Sequence, residues 1–194
     1  MSERDRGLKL DSEQESWNEK YRRREETLFA PDAFLVARRH QLQEGTILDV
    51  ACGDGRNALY LARHGFTVTG VDFSREALRR LAHFSQAQGL TVEAHQLSLE
   101  QGALRAVGRF DNVIVVHFKP SPETFRDIGD VLNEGGILLM TSFNLRQHVE
   151  RNFPEKYCYR EREFIGVDDR LELLEYTSYQ NERGHFDGYV FRKK

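Results

Sequence analysis

The spacing of apolar residues changes character near residue 45. Before it, charged and polar residues dominate. Residues 1–11 read as a solvated, flexible tail, and "SEQESWNEKYRRR" from Ser12 has helical composition, with Trp17 and Tyr21 four apart on one face. Pro31 opens a second helical stretch, "DAFLVARRHQL", which runs to Gly45. After Gly45, short apolar runs alternate with amphipathic stretches. "TILDV", "FTVTGVD", "LTVEAHQL", "FDNVIVVHF" and "ILLMTSF" read as five strands. The fourth is apolar almost throughout, as a strand covered on both faces should be. Between the strands, helical spacing aligns Ala58, Leu59 and Ala62, then Leu78, Leu81 and Ala82, then Phe125, Ile128 and Leu132. Ser74 and Ser121 stand where helix caps are needed.

Alternating strands and helices predict a parallel sheet with right-handed crossovers and helices on both faces, a three-layer, doubly wound α/β fold. The end of the chain breaks that rhythm. "LELLEYTSY" and "HFDGYVFRKK" are separated only by "QNERG", too short for a crossover helix, so they should form an antiparallel hairpin at the sheet edge. The expected organisation is one domain over 12–194. It comprises N-terminal helices (12–44), a core that would hold a cofactor (45–143), an aromatic and charged insert (144–165) and the hairpin (166–194). The insert has no clean period. It reads either as a substrate lid carrying Phe153, Tyr157 and Tyr159 or as a surface segment covering the sheet edge.

Composition narrows the function classes. The chain has 194 residues, suited to one core. Charged residues are 30% of it but nearly cancel, to a net −3, so no broad basic field exists to neutralise a nucleic-acid backbone. Cys52 and Cys158 stand alone, without metal-ligand spacing, which argues against a zinc site and a disulfide framework and suits a reducing compartment. With no apolar signal core and no apolar run long enough to span a bilayer, the expectation is a soluble, cytoplasmic protein without a membrane partner.

Candidate chemistry gathers between Thr46 and Ser74. In an open parallel sheet, ligands sit beyond the carboxyl ends of the strands. The turn after the first strand carries Gly53 and Gly55, with Asp49 ahead of it, and Asp72 ends the second strand. "GDGRNA" alone fits a plain turn or a dinucleotide site, and the latter would make an NAD-dependent oxidoreductase. Asp49 speaks against a pyrophosphate, which wants helix-terminal N–H groups with no carboxylate alongside. It favours a cationic nucleoside instead. S-adenosylmethionine carries a sulfonium and an ammonium and no phosphate.

The stretch "ILDVACGDGRNALYLARHGFTVTGVDFS" resembles motif I and the following acidic strand of class I S-adenosylmethionine-dependent methyltransferases. Ala51 replaces the first glycine of the usual acid-x-G-x-G-x-G pattern. "WNEKY", "GRNALYLA" and "NEGGILLMTSF" are similar to the small tellurite-resistance (TehB-like) type. The resemblance implies a Rossmann-like methyltransferase fold, S-adenosylmethionine as cofactor and a small-molecule methyl acceptor. It implies that Asp72 binds the ribose hydroxyls with Phe73 beside the adenine. Asp49 and the backbone of Ala51, Gly53 and Gly55 would surround the methionine portion, with Arg56 and Asn57 orienting the loop. The aspartate usual after the third strand is absent, leaving the backbone at Ser98 and Leu99 for the adenine. Aromatic residues of the N-terminal helix cap ligands in such proteins, which points to Tyr21 for the cofactor and Trp17 for the acceptor. Plain helix packing is the other reading of both. A methyltransferase-fold protein that binds the cofactor without transferring methyl is the non-enzyme alternative.

Methyl transfer is an in-line displacement from a good leaving group, and alignment alone can supply as much as ~7–11 kcal/mol. A base is needed only when the acceptor must lose a proton. No catalytic residue is therefore forced. The acceptor is expected beyond the fourth strand, at "HFKP", with Tyr157 nearby. His117 is the candidate base, or a hydrogen-bond partner of cofactor or backbone. Phe118 lies beside it, and Lys119 either steers an anion or is solvated. The arginines of "YRRREE" and "REALRR" read as solvated helix faces.

Overall fold

The computed structural model describes residues 3–100 and 102–194, with side chains from residue 10 onward. The branched run Thr46–Val50 forms β1 and pairs in parallel on both sides. Its neighbours are β2 (Thr67–Asp72) and β4 (Phe110–Val116). Beyond β2 lies β3 (Glu93–Gln96), and beyond β4 lies β5 (Leu132–Phe143), both parallel. The last two strands, β6 (Leu171–Asn181) and β7 (Gly184–Lys193), form the expected antiparallel hairpin. β7 inserts between β5 and the edge strand β6, so the order is β3-β2-β1-β4-β5-β7-β6. Strand order reverses between β1 and β4, and there the ends of two crossovers diverge to leave a cleft.

Alternate residues of each strand serve opposite faces. Leu48, Val50, Val113, Val115, Leu138 and Met140 pack with Phe125 and Ile128 of helix α5 (Pro122–Val131). Ile47, Ile114, Ile137 and Leu139 pack instead with α2 (Ala33–Arg38) and α3 (Arg56–Arg63). Leu81 and Phe84 of α4 (Arg75–Gln88) close over Cys52 and Leu59. Helix α6 (Leu145–Arg151) follows β5 and docks on the hairpin turn, where Gln147 Oε1 accepts from the His185 N–H at 3.1 Å. The three-layer arrangement is the one the strand-helix rhythm predicts. Among the described residues, no helix is long and apolar enough to cross a membrane.

Local boundaries differ in instructive ways. Helix α1 spans Glu3–Arg22, so residues 3–11 are helical where the composition reads as a tail, and residues 1 and 2 lie outside the described residues. The second helix begins only at Ala33, because Asp32 caps it by accepting from the Phe34 N–H, and it tightens into a 3-10 turn at Arg39–Gln41. Gly135 and Gly136 lie within β5 beside a register shift, rather than ahead of the strand. In the insert, Tyr159 and Phe164 belong to the main core, so its aromatic content has two destinations.

Helix α2 lies flat on the hairpin because β7 has no side chain at Gly188. The Phe34 ring occupies that space and stacks on Tyr179, with centroids 5.5 Å apart. A Cβ at residue 188 would overlap the ring. Gly188→Ala is therefore expected to destabilise the protein by about 1–3 kcal/mol, the usual range for an overpacked core. Urea denaturation of the two proteins measures it.

Candidate active site at the carboxyl ends of the strands

The chain leaves β1 through a turn whose backbone is left-handed at Ala51 (φ 57°), Gly53 (φ 58°) and Gly55 (φ 84°). Ala51 adopts this conformation despite its methyl group. The two glycines answer a second need as well. A side chain at Gly53 would strike the Tyr21 hydroxyl, and one at Gly55 would strike Leu81. The bare turn thus lets α1 and α4 close directly onto it. The sequence alone attributes that space to a ligand; packing takes much of it.

Two carboxyl groups flank the turn. Asp72 ends β2, and its oxygens accept from the Gly53 N–H at 2.9 Å and the Ser74 N–H at 2.8 Å. Each oxygen keeps a further lone pair for another donor. Asp49 is 1% exposed beneath the turn, and its Oδ2 has no hydrogen-bond partner among the described residues. Burial pushes the Asp49 carboxyl up to about 8; Arg56 and the Ala58 N–H oppose this and the Asp72 charge adds to it. Burial also raises Asp72, against the N–H groups of Ser74 and Gly53. The Arg56 guanidinium opposes the Asp49 shift in part without forming an ion pair with that carboxyl. It turns to the Asp32 carboxylate at 3.6 Å and to the Ala30 carbonyl. The turn is therefore a place where added positive charge is stabilised.

A cavity of about 490 Å³ opens above it. On its floor are Ala51, Gly53, Asp72 and Phe73, with Arg56 and Asn57 behind. Ser98 and Leu99, after β3, form one side; Trp17 and Tyr21 of α1 form the roof; His117, Phe118, Lys119 and Tyr157 stand at the far end. Asp49 and Gly55 are not on the cavity surface. Asp49 lies beneath the turn, and its raised pKa keeps it largely protonated near neutral pH, so a positive charge in the cavity would favour its ionised form.

Several side chains have partners that the sequence did not disclose. Asn57 accepts from the Asp32 N–H at 2.9 Å, so with Arg56 it ties the segment before α2 to the start of α3. Lys119, on the cavity wall, donates to the Cys158 carbonyl at 2.7 Å and pairs with Glu163 at 2.9 Å. His117 Nε2 lies 2.9 Å from Asp32 Oδ2. Arg24 and Arg80, expected on solvated faces, converge on Asp54 at 3.2 and 3.3 Å and pull the end of α1 over the turn. The roof is latched at its other end too. Asn18 Oδ1 accepts from the Ser74 hydroxyl at 2.9 Å, and Gln14 donates to the Phe73 carbonyl. Lys156 reaches across to Glu13 at 3.1 Å.

Residues missed by sequence reasoning include Arg24, Asp54, Leu97 and Arg183, all on the cavity wall. Asp54 was visible inside the glycine motif. Arg183 comes from the hairpin turn, and nothing local connects it to the cleft.

Residues 47–136 match a family model described as a methyltransferase domain. Among curated relatives, the chain is 30% identical over 147 residues to a ubiquinone biosynthesis O-methyltransferase of Escherichia coli O9:H4 (strain HS), covering 68% of this chain and 61% of the relative. It spans between 40% and 61% of the length of the curated relatives it matches. Among solved structures, TehB from Haemophilus influenzae superposes with a TM-score of 0.70 at 20% identity, over 86% of this chain and 64% of that one. An S-adenosylmethionine-dependent methyltransferase from Methanosarcina mazei gives 0.67 at 20% identity, over 85% and 99%. These structures share the fold. The matched span contains the turn, Asp49, Asp72 and His117, whereas Trp17, Tyr21, Tyr157 and Arg183 lie outside it.

The burial of Asp49 has a consequence for stability. Its carboxyl ionises near 3.8 when unfolded and near 8 when folded. Between those values the folded state holds the extra proton, so this group's contribution falls as pH rises. Asp49→Asn, which never ionises, is expected to stabilise the ligand-free protein at pH 8 and to leave it nearly unchanged at pH 4. Urea denaturation at both pH values reads the difference.

Proposed function

We propose that the protein is an S-adenosylmethionine-dependent methyltransferase acting on a small-molecule acceptor. The observation that carries this reading is the pair of buried carboxyls at neighbouring strand ends, one with an unpartnered oxygen, on either side of the turn. A cationic nucleoside favours ionisation of both carboxyls and is attracted by them; a pyrophosphate, as in NAD, is repelled by any charge they carry.

The residues present fit the cofactor. Asp72 keeps lone pairs for the ribose hydroxyls, Phe73 and Leu97 to Leu99 offer an adenine slot, and Tyr21 covers the sulfonium end. When bound, the cofactor supplies a methyl group on a positively charged sulfur. The chain's own part is to hold donor and acceptor in line, which Trp17, Tyr21 and Tyr157 do by walling the cavity and excluding water. The matched relatives named as ubiquinone biosynthesis O-methyltransferases support a hydroxyl-bearing small molecule as acceptor. A cytoplasmic location is part of the same reading, supported by two buried, unbridged cysteines.

Calorimetry tests the assignment. S-adenosylhomocysteine is expected to bind and NAD is not. Asp72→Ala, checked for folding by circular dichroism, should weaken S-adenosylhomocysteine binding by ~1.5–3 kcal/mol, the range for hydrogen bonds to a charged group. An unchanged dissociation constant removes Asp72 from the cofactor site.

A further inference from the structure

Asp32 belongs to no sequence motif, yet it is held from several directions. Its N–H donates to Asn57 Oδ1 at 2.9 Å, and its Oδ1 accepts from the Phe34 N–H at 3.0 Å. Its Oδ2 faces three cationic or potentially cationic groups: His117 at 2.9 Å, Arg56 at 3.6 Å and Arg183 at 3.9 Å. They come from the end of β4, the start of α3 and the hairpin turn. His117 is itself constrained. Its backbone is left-handed, with φ 60°, its N–H donates to the Thr141 carbonyl at 2.8 Å, and its ring packs against Phe143 and Phe186. A side-chain-bearing residue held in that conformation is strained, and such strain gathers at functional sites. Here it turns an imidazole into the cavity wall.

We propose that Asp32 is a positioning residue that sets His117 as the proton acceptor of the cleft, and that the methyl acceptor is a protic nucleophile, a hydroxyl or thiol that loses its proton during transfer. This rests on the methyltransferase reading given above. A carboxylate only accepts hydrogen bonds, so Nε2 of His117 must carry the proton, and Nδ1 is left with the lone pair. Burial holds the imidazole below its ordinary range; Asp32 opposes this, and the Arg56 and Arg183 charges reinforce it. At neutral pH the ring is uncharged and can accept. In the step itself, the acceptor's lone pair forms the new bond to carbon while the C–S bond of the sulfonium donor breaks. Sulfur keeps that electron pair, and the acceptor's proton passes to Nδ1. The imidazolium so formed is neutralised by Asp32, as a carboxylate supports a histidine base elsewhere.

The test uses Asp32→Asn, which still caps α2 but presents an amide N–H to His117. Nitrogen-15 NMR of the imidazole in the full chain should show Nε2–H in the wild type and Nδ1–H in the variant. S-adenosylhomocysteine affinity should stay within a few-fold. Methyl transfer from labelled S-adenosylmethionine is then compared on two probes at pH 7, a catechol that is protonated and a nitro-substituted aryl thiol that is already ionised. The variant should lose roughly 10²–10⁴-fold on the catechol, the span of general base catalysis, and far less on the thiolate. Equal effects on both probes, an unchanged tautomer, or no wild-type transfer to the catechol overturns the proposal. A purely structural Asp32 would not separate the two probes. Failure of the wild type to bind S-adenosylhomocysteine instead overturns the methyltransferase reading.

Discussion

Placing a carboxyl group under a sharp turn, out of contact with water and short of one hydrogen-bond partner, is expensive unless something compensates it. Asp49 is in that position, and much of the cleft is arranged around it. The guanidinium of Arg56, which partly offsets the rise in the Asp49 pKa, is paired with Asp32 rather than with Asp49. The neighbouring carboxylate, Asp72, is tied to two backbone N–H groups rather than to a cation. The cost is therefore kept within the turn itself, where Asp49 stays protonated up to about pH 8 in the free protein and a positive charge in the cavity would favour its ionisation. Stability given up in the free protein in this way is a trade-off common at functional sites.

What the sequence disclosed about the cleft follows from distance along the chain. The turn, Asp49 and Asp72 lie within one strand-turn-helix-strand unit, and their geometry is set by local periodicity and by parallel pairing of β1 with β2. The fold class was legible for the same reason: each crossover is written as an apolar run followed by an amphipathic one. The far end of the cleft is different. His117 and Asp32 are 85 residues apart, and Arg183 arrives from the hairpin. No spacing rule joins them. Charged stretches were also misread where context reverses their meaning. Arg80 sits in an ordinary amphipathic pattern, yet it is buried against Asp54 and the carbonyls of Glu25 and Thr27. Helix α1 extends further back than its composition indicates, and propensity is a weak guide where tertiary contacts hold a helix.

The division of the site has a chemical logic. Every methyltransferase of this fold meets the same donor, so a contiguous segment can hold the donor end, and residues 47–136 match the family model. Acceptors differ, and residues that would meet one here, Trp17, Tyr157 and Arg183, come from segments outside that match. The family is therefore easier to read than the substrate.

The glycine turn links the two ends. Because Gly53 has no side chain, the Tyr21 phenol rests on the backbone that borders the cavity, and α1 is latched there by Asn18, Gln14 and Arg24. Any ligand seated between the turn and Tyr21 touches both, and its binding energy includes whatever it adds to the docking of α1. By linkage, contacts that hold α1 down must strengthen ligand binding by the same free energy that the ligand adds to α1. The Glu13–Lys156 bridge sits at the opposite rim of that roof. The N-terminal helix, although it lies outside the matched span, would on this argument be as much a part of a ligand seat as the turn beneath it.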